Sequence, residues 1–336
     1  MGSTTPGKAE KMRVITHNVN GVRAALRRGL TDWLAQADAD VVALQEVRCP
    51  VEALPLDAFG DYHVVYDPGT LAGRNGVALL TRTPVASVHA WGSRVFAWEP
   101  GGVPSPLPAD PDAPVSGPLA EFAAEGRWIE ADLADAPIRI ASLYLPKGGL
   151  PADLVKGTSR EGRTPEQEHA RWERKRRFLD GLADQVGVLA QTAATRGREL
   201  LVVGDYNIAH APADVANWRG NQATEGFLPN ERAWFDALVG AHASSARLPE
   251  AVRNPEAPAG GTLVDVVRAL RPDDDGPYSW WSWRGQAFTN DVGWRIDYHL
   301  ATPGLAARGV RDFVDRAPAY DARISDHAPV GVDYDV

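Results

Sequence analysis

Short runs of aliphatic and β-branched residues alternate along this chain with longer amphipathic stretches, and the spacing of the apolar positions separates strands from helices. Residues 12–18, 41–44, 62–66, 76–81, 128–133, 138–145 and 200–203 read as strands, and 279–283, 295–301 and 329–336 close the chain as three more. Asp135-Ala-Pro137 is the expected turn of a hairpin between 128–133 and 138–145. Residues 30–37, 231–239 and 263–270 read as short helices, the first with Thr31 or Asp32 near its start. The longest helical segment is 164–196, where Thr164-Pro-Glu-Gln167 offers an N-cap, a first-turn proline and an amide able to complete a capping box.

Strands and helices are interleaved with hairpins as well as longer crossovers. That order predicts an α/β fold with mixed or mainly antiparallel sheets rather than a βαβ repeat. Residues 12–336 are expected to form one catalytic domain, preceded by a polar, disordered tail over 1–11 that lacks the character of a signal peptide. Residues 99–117, rich in Pro, Gly and Asp, read as a long irregular surface loop, best explained as a tolerated insertion.

Charge and cysteine content narrow the function classes. The 336 residues carry a net charge of −9, which argues against a protein that coats nucleic acid without regard to sequence. It leaves room for a nuclease, because a cation site concentrates carboxylates and a local basic face can coexist with an acidic whole. The single Cys49 permits no intramolecular disulfide, and no apolar run is long enough to span a bilayer, so a cytoplasmic protein is expected.

The candidate chemistry lies at strand ends, where a rigid element opens into solvent. Asn18 and Asn20 follow the first strand, Glu46 the second, and Tyr144 ends the 138–145 strand. Asp205 and Asn207 follow 200–203, Asp297 lies within 295–301, and Asp326 and His327 precede the last strand. Taken singly, each has an ordinary reading as a capping or solvated group. Together they suit phosphodiester hydrolysis. Glu46 and Asp326 offer oxygen ligands to a hard cation. Asn18, Asn207 and the Tyr144 hydroxyl offer neutral donors to the charge of the transition state. An aspartate can orient or deprotonate water, and His327 oriented by Asp297 can hold a phosphate oxygen or move a proton.

In chain order, Asn18-Val-Asn-Gly-Val-Arg-Ala24, Leu44-Gln-Glu46, Asn75-Gly-Val-Ala78, Tyr144-Leu-Pro-Lys-Gly148, Gly204-Asp-Tyr-Asn-Ile-Ala209, Gly293-Trp-Arg-Ile-Asp-Tyr298 and Ser325-Asp-His-Ala-Pro-Val330 span almost the whole sequence. This series resembles the exonuclease III and abasic-site endonuclease family of the endonuclease/exonuclease/phosphatase superfamily, which also holds DNase I. The resemblance implies a four-layer α/β sandwich, two packed sheets flanked by helices, with the site at one edge. It implies that Glu46 binds the metal with Asn20 and Asp326 nearby, and that Asp205 aligns or activates water. It further implies that Asn207 and Asn18 contact the phosphate, that Tyr144 stabilises the transition state, and that His327 and Asp297 act as a pair. Trp280, Trp294 and Ile296 would form an apolar pocket that admits a sugar lacking its base.

Arg23 and Arg74, next to the motifs, are the leading candidates to grip the DNA backbone, ahead of Arg48 and Arg219. Lys147 stands where the family usually has an amide and could strengthen a phosphate contact. The basic run from Arg171 to Arg177 reads as the exposed face of the long helix, Trp281 and Trp283 as packing residues, and His169 and His210 as ordinary histidines.

The expected protein is a monomeric, Mg2+- or Mn2+-dependent phosphodiesterase acting on double-stranded DNA, cutting 5′ to abasic sites and trimming 3′ ends as a 3′-5′ exodeoxyribonuclease. One alternative keeps the chemistry and changes the substrate to RNA or a phosphorylated small molecule. Another keeps only the scaffold, as a DNA-binding protein without activity.

Overall fold

The computed structural model describes residues 11–55, 57–71, 73–92, 94–108, 115, 117–158 and 162–336. Residues 1–10 of the expected tail lie outside the described residues, and Lys11, assigned to that tail, already belongs to the first strand. In chain order the strands are β1 (Lys11–Asn18), β2 (Val41–Gln45), β3 (His63–Asp67), β4 (Val77–Thr81), β5 (Val85–Ala90), β6 (Phe96–Trp98) and β7 (Ser105–Pro106). The second half supplies β8 (Trp128–Leu133), β9 (Ile138–Tyr144), β10 (Glu199–Asp205), β11 (Val264–Asp265), β12 (Asp297–Ala301), β13 (Gly309–Val314) and β14 (Val330–Asp335). The helices are α1 (Val22–Arg27), α2 (Leu30–Ala37), α3 (Pro165–Thr195), α4 (Pro229–Val239), α5 (Val266–Leu270) and α6 (Pro303–Ala306). None of the described helices is long and apolar enough to cross a membrane.

The strands form an eight-stranded sheet in the order β13-β14-β1-β2-β4-β3-β6-β7 and a six-stranded sheet in the order β11-β12-β10-β9-β8-β5. Each sheet is antiparallel except for one central parallel pair, β1 with β2 and β9 with β10. Alternation along the strands builds the layers. In β1, Val14 faces the other sheet while Ile15 faces outward; in β10, Leu201 and Val203 face inward while Leu200 and Val202 face outward. The inward residues form one apolar core between the sheets. The outward face of β10 packs against α3 and α4 through Phe178, Leu182 and Phe235, and the outward face of β1 and β2 packs against α1 and α2 through Val22 and Leu34. This is the four-layer sandwich expected from the resemblance.

α3 begins as its sequence prescribes. Thr164 Oγ1 accepts from Gln167 N at 3.4 Å and Gln167 Oε1 accepts from Thr164 N at 3.0 Å. Elsewhere the pattern misleads. Residues 279–283 form no strand; Trp280 alone bridges Trp294 and His327, because the segment wraps across the end of the sheets instead of joining one. The expected 263–270 helix is split, with Val264–Asp265 pairing as β11 before Asp265 caps α5. In the 99–117 loop, Ser105–Pro106 pairs with β6, while residues 109–114 and 116 lie outside the described residues.

Candidate active site

Topology brings the strand-end residues together. Asn18 ends β1, Glu46 directly follows β2, Tyr144 ends β9 and Asp205 ends β10, so both parallel pairs point their carboxyl ends at one edge. β12 runs antiparallel to β10 with Asp297 opposite Asp205, which puts the start of β12 at that same edge. β14 runs antiparallel to β1 with Val330 opposite Thr16, so His327 arrives just beyond the end of β1. Gly204 makes the approach possible: a Cβ there would lie 2.0 Å from Leu143 O, and φ is +145°.

A chain of hydrogen bonds then links the site. Asn18 Nδ2 donates to Glu46 Oε1 at 2.9 Å and to Asp205 Oδ2 at 2.8 Å. Both hydrogens of that amide are therefore committed to carboxylates, so Asn18 positions them and does not present a free donor to phosphate. Asn207 donates from its backbone to Asp205 Oδ1 at 2.8 Å and from Nδ2 to Leu145 O at 2.9 Å and Asp205 Oδ2 at 3.2 Å. His327 Nδ1 lies 2.9 Å from Asp297 Oδ2, and His327 Nε2 lies 3.8 Å from Asp205 Oδ2. Ser279 Oγ donates to Asp297 Oδ2 at 2.6 Å and accepts from the backbone of Ile296 and Asp297. Asn20 and Asp326 pair with each other at 2.8 Å, and the second Asp326 oxygen accepts from Trp280 Nε1 at 3.1 Å. Arg48 donates to Asn20 Oδ1 at 2.6 Å and forms an ion pair with Glu46.

The backbone holds this arrangement under strain. Asn20, Glu46, Arg48, Asn75 and Asn207 all have φ between 46° and 52°. Asparagine tolerates the left-handed region, but Glu46 and Arg48 have no such local compensation, and each costs on the order of 1–3 kcal/mol.

Electrostatics separate the groups by role. Burial raises the Asp205 pKa, Asp297 and Glu46 add to the rise against the pull of His327, and the carboxyl reaches about 7. Burial would lower the pKa of His327, but Asp297 and Asp205 outweigh it and raise the imidazole to about 10. Burial, then Glu46, holds the Tyr144 hydroxyl well above its ordinary range, against Arg127, whose guanidinium lies 5.0 Å from the ring centroid. Asp326 stays below the usual carboxylate range because His327, Asn20 and Trp280 overcome its burial. His17 is buried behind His327, and burial followed by the His327 charge lowers it to about 3, so it is neutral.

The residues fit a hard divalent cation. Glu46 is 8% exposed, with Oε1 accepting from Asn18 and Oε2 paired with Arg48, while Asp297 Oδ1 is buried without a hydrogen-bond partner. Asp205, Asp297 and His327 bring ligand atoms within 4.8 Å of one another. Oxygen donors with an orphaned carboxylate oxygen suit Mg2+ or Mn2+ better than a soft metal. All three expected ligands are engaged by protein partners: Glu46 by Asn18 and Arg48, and Asn20 and Asp326 by each other, Arg48 and Trp280, so a cation at Glu46 would take the place of Arg48.

An aromatic cluster and a cationic cavity flank this centre. On one side Trp280, Trp294 and Ile296 pack with Trp218 and Phe227, and Trp294 stands edge-on to Trp280 at 6.4 Å. On the other a cationic cavity shares Tyr144 as a wall and includes Arg74 and Lys147. Lys147 meets Glu225 at 3.3 Å, and Arg23 lines a smaller depression with Arg27 and Arg48. Two groups escaped sequence reasoning. Ser279 had no motif to mark it, and Lys175 was assigned to an exposed helix face, whereas it is 2% exposed and donates to the carbonyls of Lys147 and Asn207 at 3.2 and 2.9 Å. Trp281 is buried as expected, and His210 is a buried partner of Asp236 at 2.7 Å.

Known proteins share this architecture. The sequence pattern of the Endonuclease/Exonuclease/phosphatase family matches residues 15–327. The chain is similar to the DNA repair nuclease APEX1 of Danio rerio, with 28% identity over 333 residues covering 96% of this chain and 82% of that protein. It is similar to the exodeoxyribonuclease of Bacillus subtilis (strain 168), with 26% identity covering 95% of this chain and 98% of that protein. Among solved structures, an AP endonuclease from Archaeoglobus fulgidus superimposes with a TM-score of 0.68 at 25% identity, covering 97% of this chain and all of that one. With a match that runs from the first strand to His327 and takes in every strand end of the site, the chain belongs to the Endonuclease/Exonuclease/phosphatase family.

Proposed function

We propose that this enzyme is a Mg2+- or Mn2+-dependent DNA repair nuclease that cuts duplex DNA 5′ to abasic sites and removes nucleotides or blocking groups from 3′ ends. The observation that carries the reading is the chain Glu46–Asn18–Asp205, with Asp297 Oδ1 buried and unpartnered nearby, set beside an aromatic cluster. The relatives named above as a DNA repair nuclease, an exodeoxyribonuclease and an AP endonuclease support the choice of DNA as substrate.

Glu46, linked to Asp205 by the Asn18 amide, would hold the cation, which would supply Lewis acidity toward a phosphate oxygen. Asp205, raised to about 7, takes a proton from the attacking water near neutral pH. Asn18 and Asn207 hold both of its oxygens in place. His327 stays protonated and presents Nε2 to a non-bridging oxygen, oriented through Nδ1 by Asp297. Tyr144 keeps its proton and donates to the developing charge. Trp280, Trp294 and Ile296 exclude a nucleotide that carries its base by size.

Defined oligonucleotides test the reading: abasic duplex, intact duplex, nicked duplex, blunt duplex and single strand, each across a Mg2+ titration. Divalent-dependent incision of the abasic duplex, well above the intact one, is the expected result. Faster turnover of RNA or a phosphorylated small molecule than of abasic DNA would replace the substrate while keeping the chemistry.

A further inference from the structure

The cavity beside Tyr144 encloses about 540 Å3, and eight of its thirteen lining residues are arginine or lysine while none is acidic. Such a concentration is unexpected in a chain of net charge −9. Neighbouring carboxylates neutralise part of it. Glu125 holds both Arg127 at 2.6 Å and Arg174 at 2.5 Å, Lys175 is buried against Glu231 at 2.6 Å, Arg163 meets Glu168 at 2.5 Å, Lys147 meets Glu225 at 3.3 Å, and Arg48 pairs with Glu46, so eight cations face these five carboxylates. One carboxylate thus serves two arginines. Arg171 is anchored by a carbonyl, that of Gly148 at 3.0 Å, and Arg74 is exposed at the rim. The cavity is therefore net positive.

Building on the nuclease reading above, we propose that this cavity is a subsite for a strand-terminal phosphomonoester of nicked or gapped DNA, adjacent to the phosphate being cut. A phosphomonoester carries roughly −1.5 to −2 charges at neutral pH against one for a backbone diester, so a shared, surplus set of cations discriminates in its favour. Arginine forks match the planar pairs of phosphate oxygens. The wall is continuous with the active site, since Tyr144 belongs to both and Arg48 reaches Asn20 and Glu46 from it. Arg48 and Asn75 hold left-handed backbones in that wall, so its shape is set before any ligand arrives. The volume falls in the range that accommodates nucleotide-sized groups, about 300–1,000 Å3. The same chemistry has two sources: a 5′-phosphate on the downstream strand or a 3′-phosphate on the upstream strand.

The test is binding, in EDTA so that nothing turns over, of the full chain to gapped duplexes whose facing ends carry phosphate or hydroxyl in every combination. One phosphate is expected to tighten binding about tenfold over its hydroxyl counterpart. The arm that shows the gain identifies the strand, and either arm supports the subsite. In Arg171→Gln and, separately, Arg74→Gln the advantage is expected to fall to about twofold or less. The ratio is taken within each variant, so a folding defect scales both duplexes alike. Equal affinity for phosphate and hydroxyl ends in the wild type, or a ratio retained in both variants, overturns the proposal. Incision of a continuous abasic duplex is measured in parallel: its absence defeats the nuclease reading, whereas incision without an end-phosphate preference defeats this inference alone.

Discussion

Two buried clusters of charge lie two residues apart along one segment, and they are built on opposite terms. Around Arg295, two arginines meet two aspartates: Arg295 binds Asp214 and Asp265, each at 2.7 Å, and Arg268 binds Asp214 at 2.7 Å. Burial opposes the ionisation of Asp214, yet Arg295 and Arg268 hold its carboxyl far below the ordinary range. Around Asp297, the carboxylates of Asp297, Asp205 and Asp326 face one histidine, Asp297 Oδ1 lacks a hydrogen-bond partner, and Asp205 is pushed up to about 7. The first cluster balances its own charges, with Arg268 Nε its one buried polar side-chain atom lacking a partner, and fastens β11 and α5 to the segment that leads into β12. The second is left incomplete, as a site for a cation and a phosphate must be.

That contrast can be broken in several places. The largest effect is expected from Asp205→Asn, which keeps the shape and removes the proton acceptor. The kcat should fall about 10³-fold or more, with the melting temperature unchanged or raised, in steady-state incision and thermal melting. Arg295→Leu should do the reverse. It leaves Asp214 and Asp265 without their shared partner and should cost about 3–5 kcal/mol of stability by denaturant titration, with kcat per folded molecule within about threefold of wild type.

Stability against pH separates the clusters again. A folded pKa raised to about 7 means that Asp205 holds a proton the unfolded chain has released above about pH 4. Its stabilising contribution is complete below that unfolded value and is lost as pH rises through 7. Between pH 5 and 8, metal-free wild type should therefore lose roughly 1–3 kcal/mol more than metal-free Asp205→Asn, the comparison cancelling the other titrating groups. Asp214, being depressed, contributes above its unfolded value and loses its contribution only as pH falls through its folded one, so it adds no slope across that window. The smallest effect is expected at the aromatic cluster. Trp294→Ala should reduce the preference for abasic over intact duplex about tenfold, measured as a ratio of kcat/KM.

The sequence displayed the strand ends because apolar runs stop abruptly at Asn18, Glu46, Tyr144 and Asp205, and the motifs there carry the resemblance. β5 and β13 were missed because their residues are mostly half-exposed or exposed, which blurs the apolar pattern. Residues 279–283 misled because three tryptophans imitate a strand, while Trp280 alone pairs, by isolated bridges to Trp294 and His327. Arg295 sits inside the Gly293–Asp297 motif, yet its role depends on Asp214 and Asp265, which no local pattern connects to it. Arg171, Arg174 and Lys175 read as a solvated helix face because the cavity they line is made by loops 73–75 and 144–148 on the other sheet edges.

The central claim is that the Glu46 carboxylate, held by Asn18 and Arg48 among buried acids, holds the cation that the chemistry requires. Abasic-duplex incision by wild type and Glu46→Gln across a Mg2+ titration, with melting temperature followed over the same titration, tests it most directly. Wild type is expected to need the metal and to be stabilised by it, while Glu46→Gln loses at least about 100-fold in rate at saturating Mg2+ and most of the thermal shift. Full activity and an undiminished Mg2+ shift in Glu46→Gln would contradict the account.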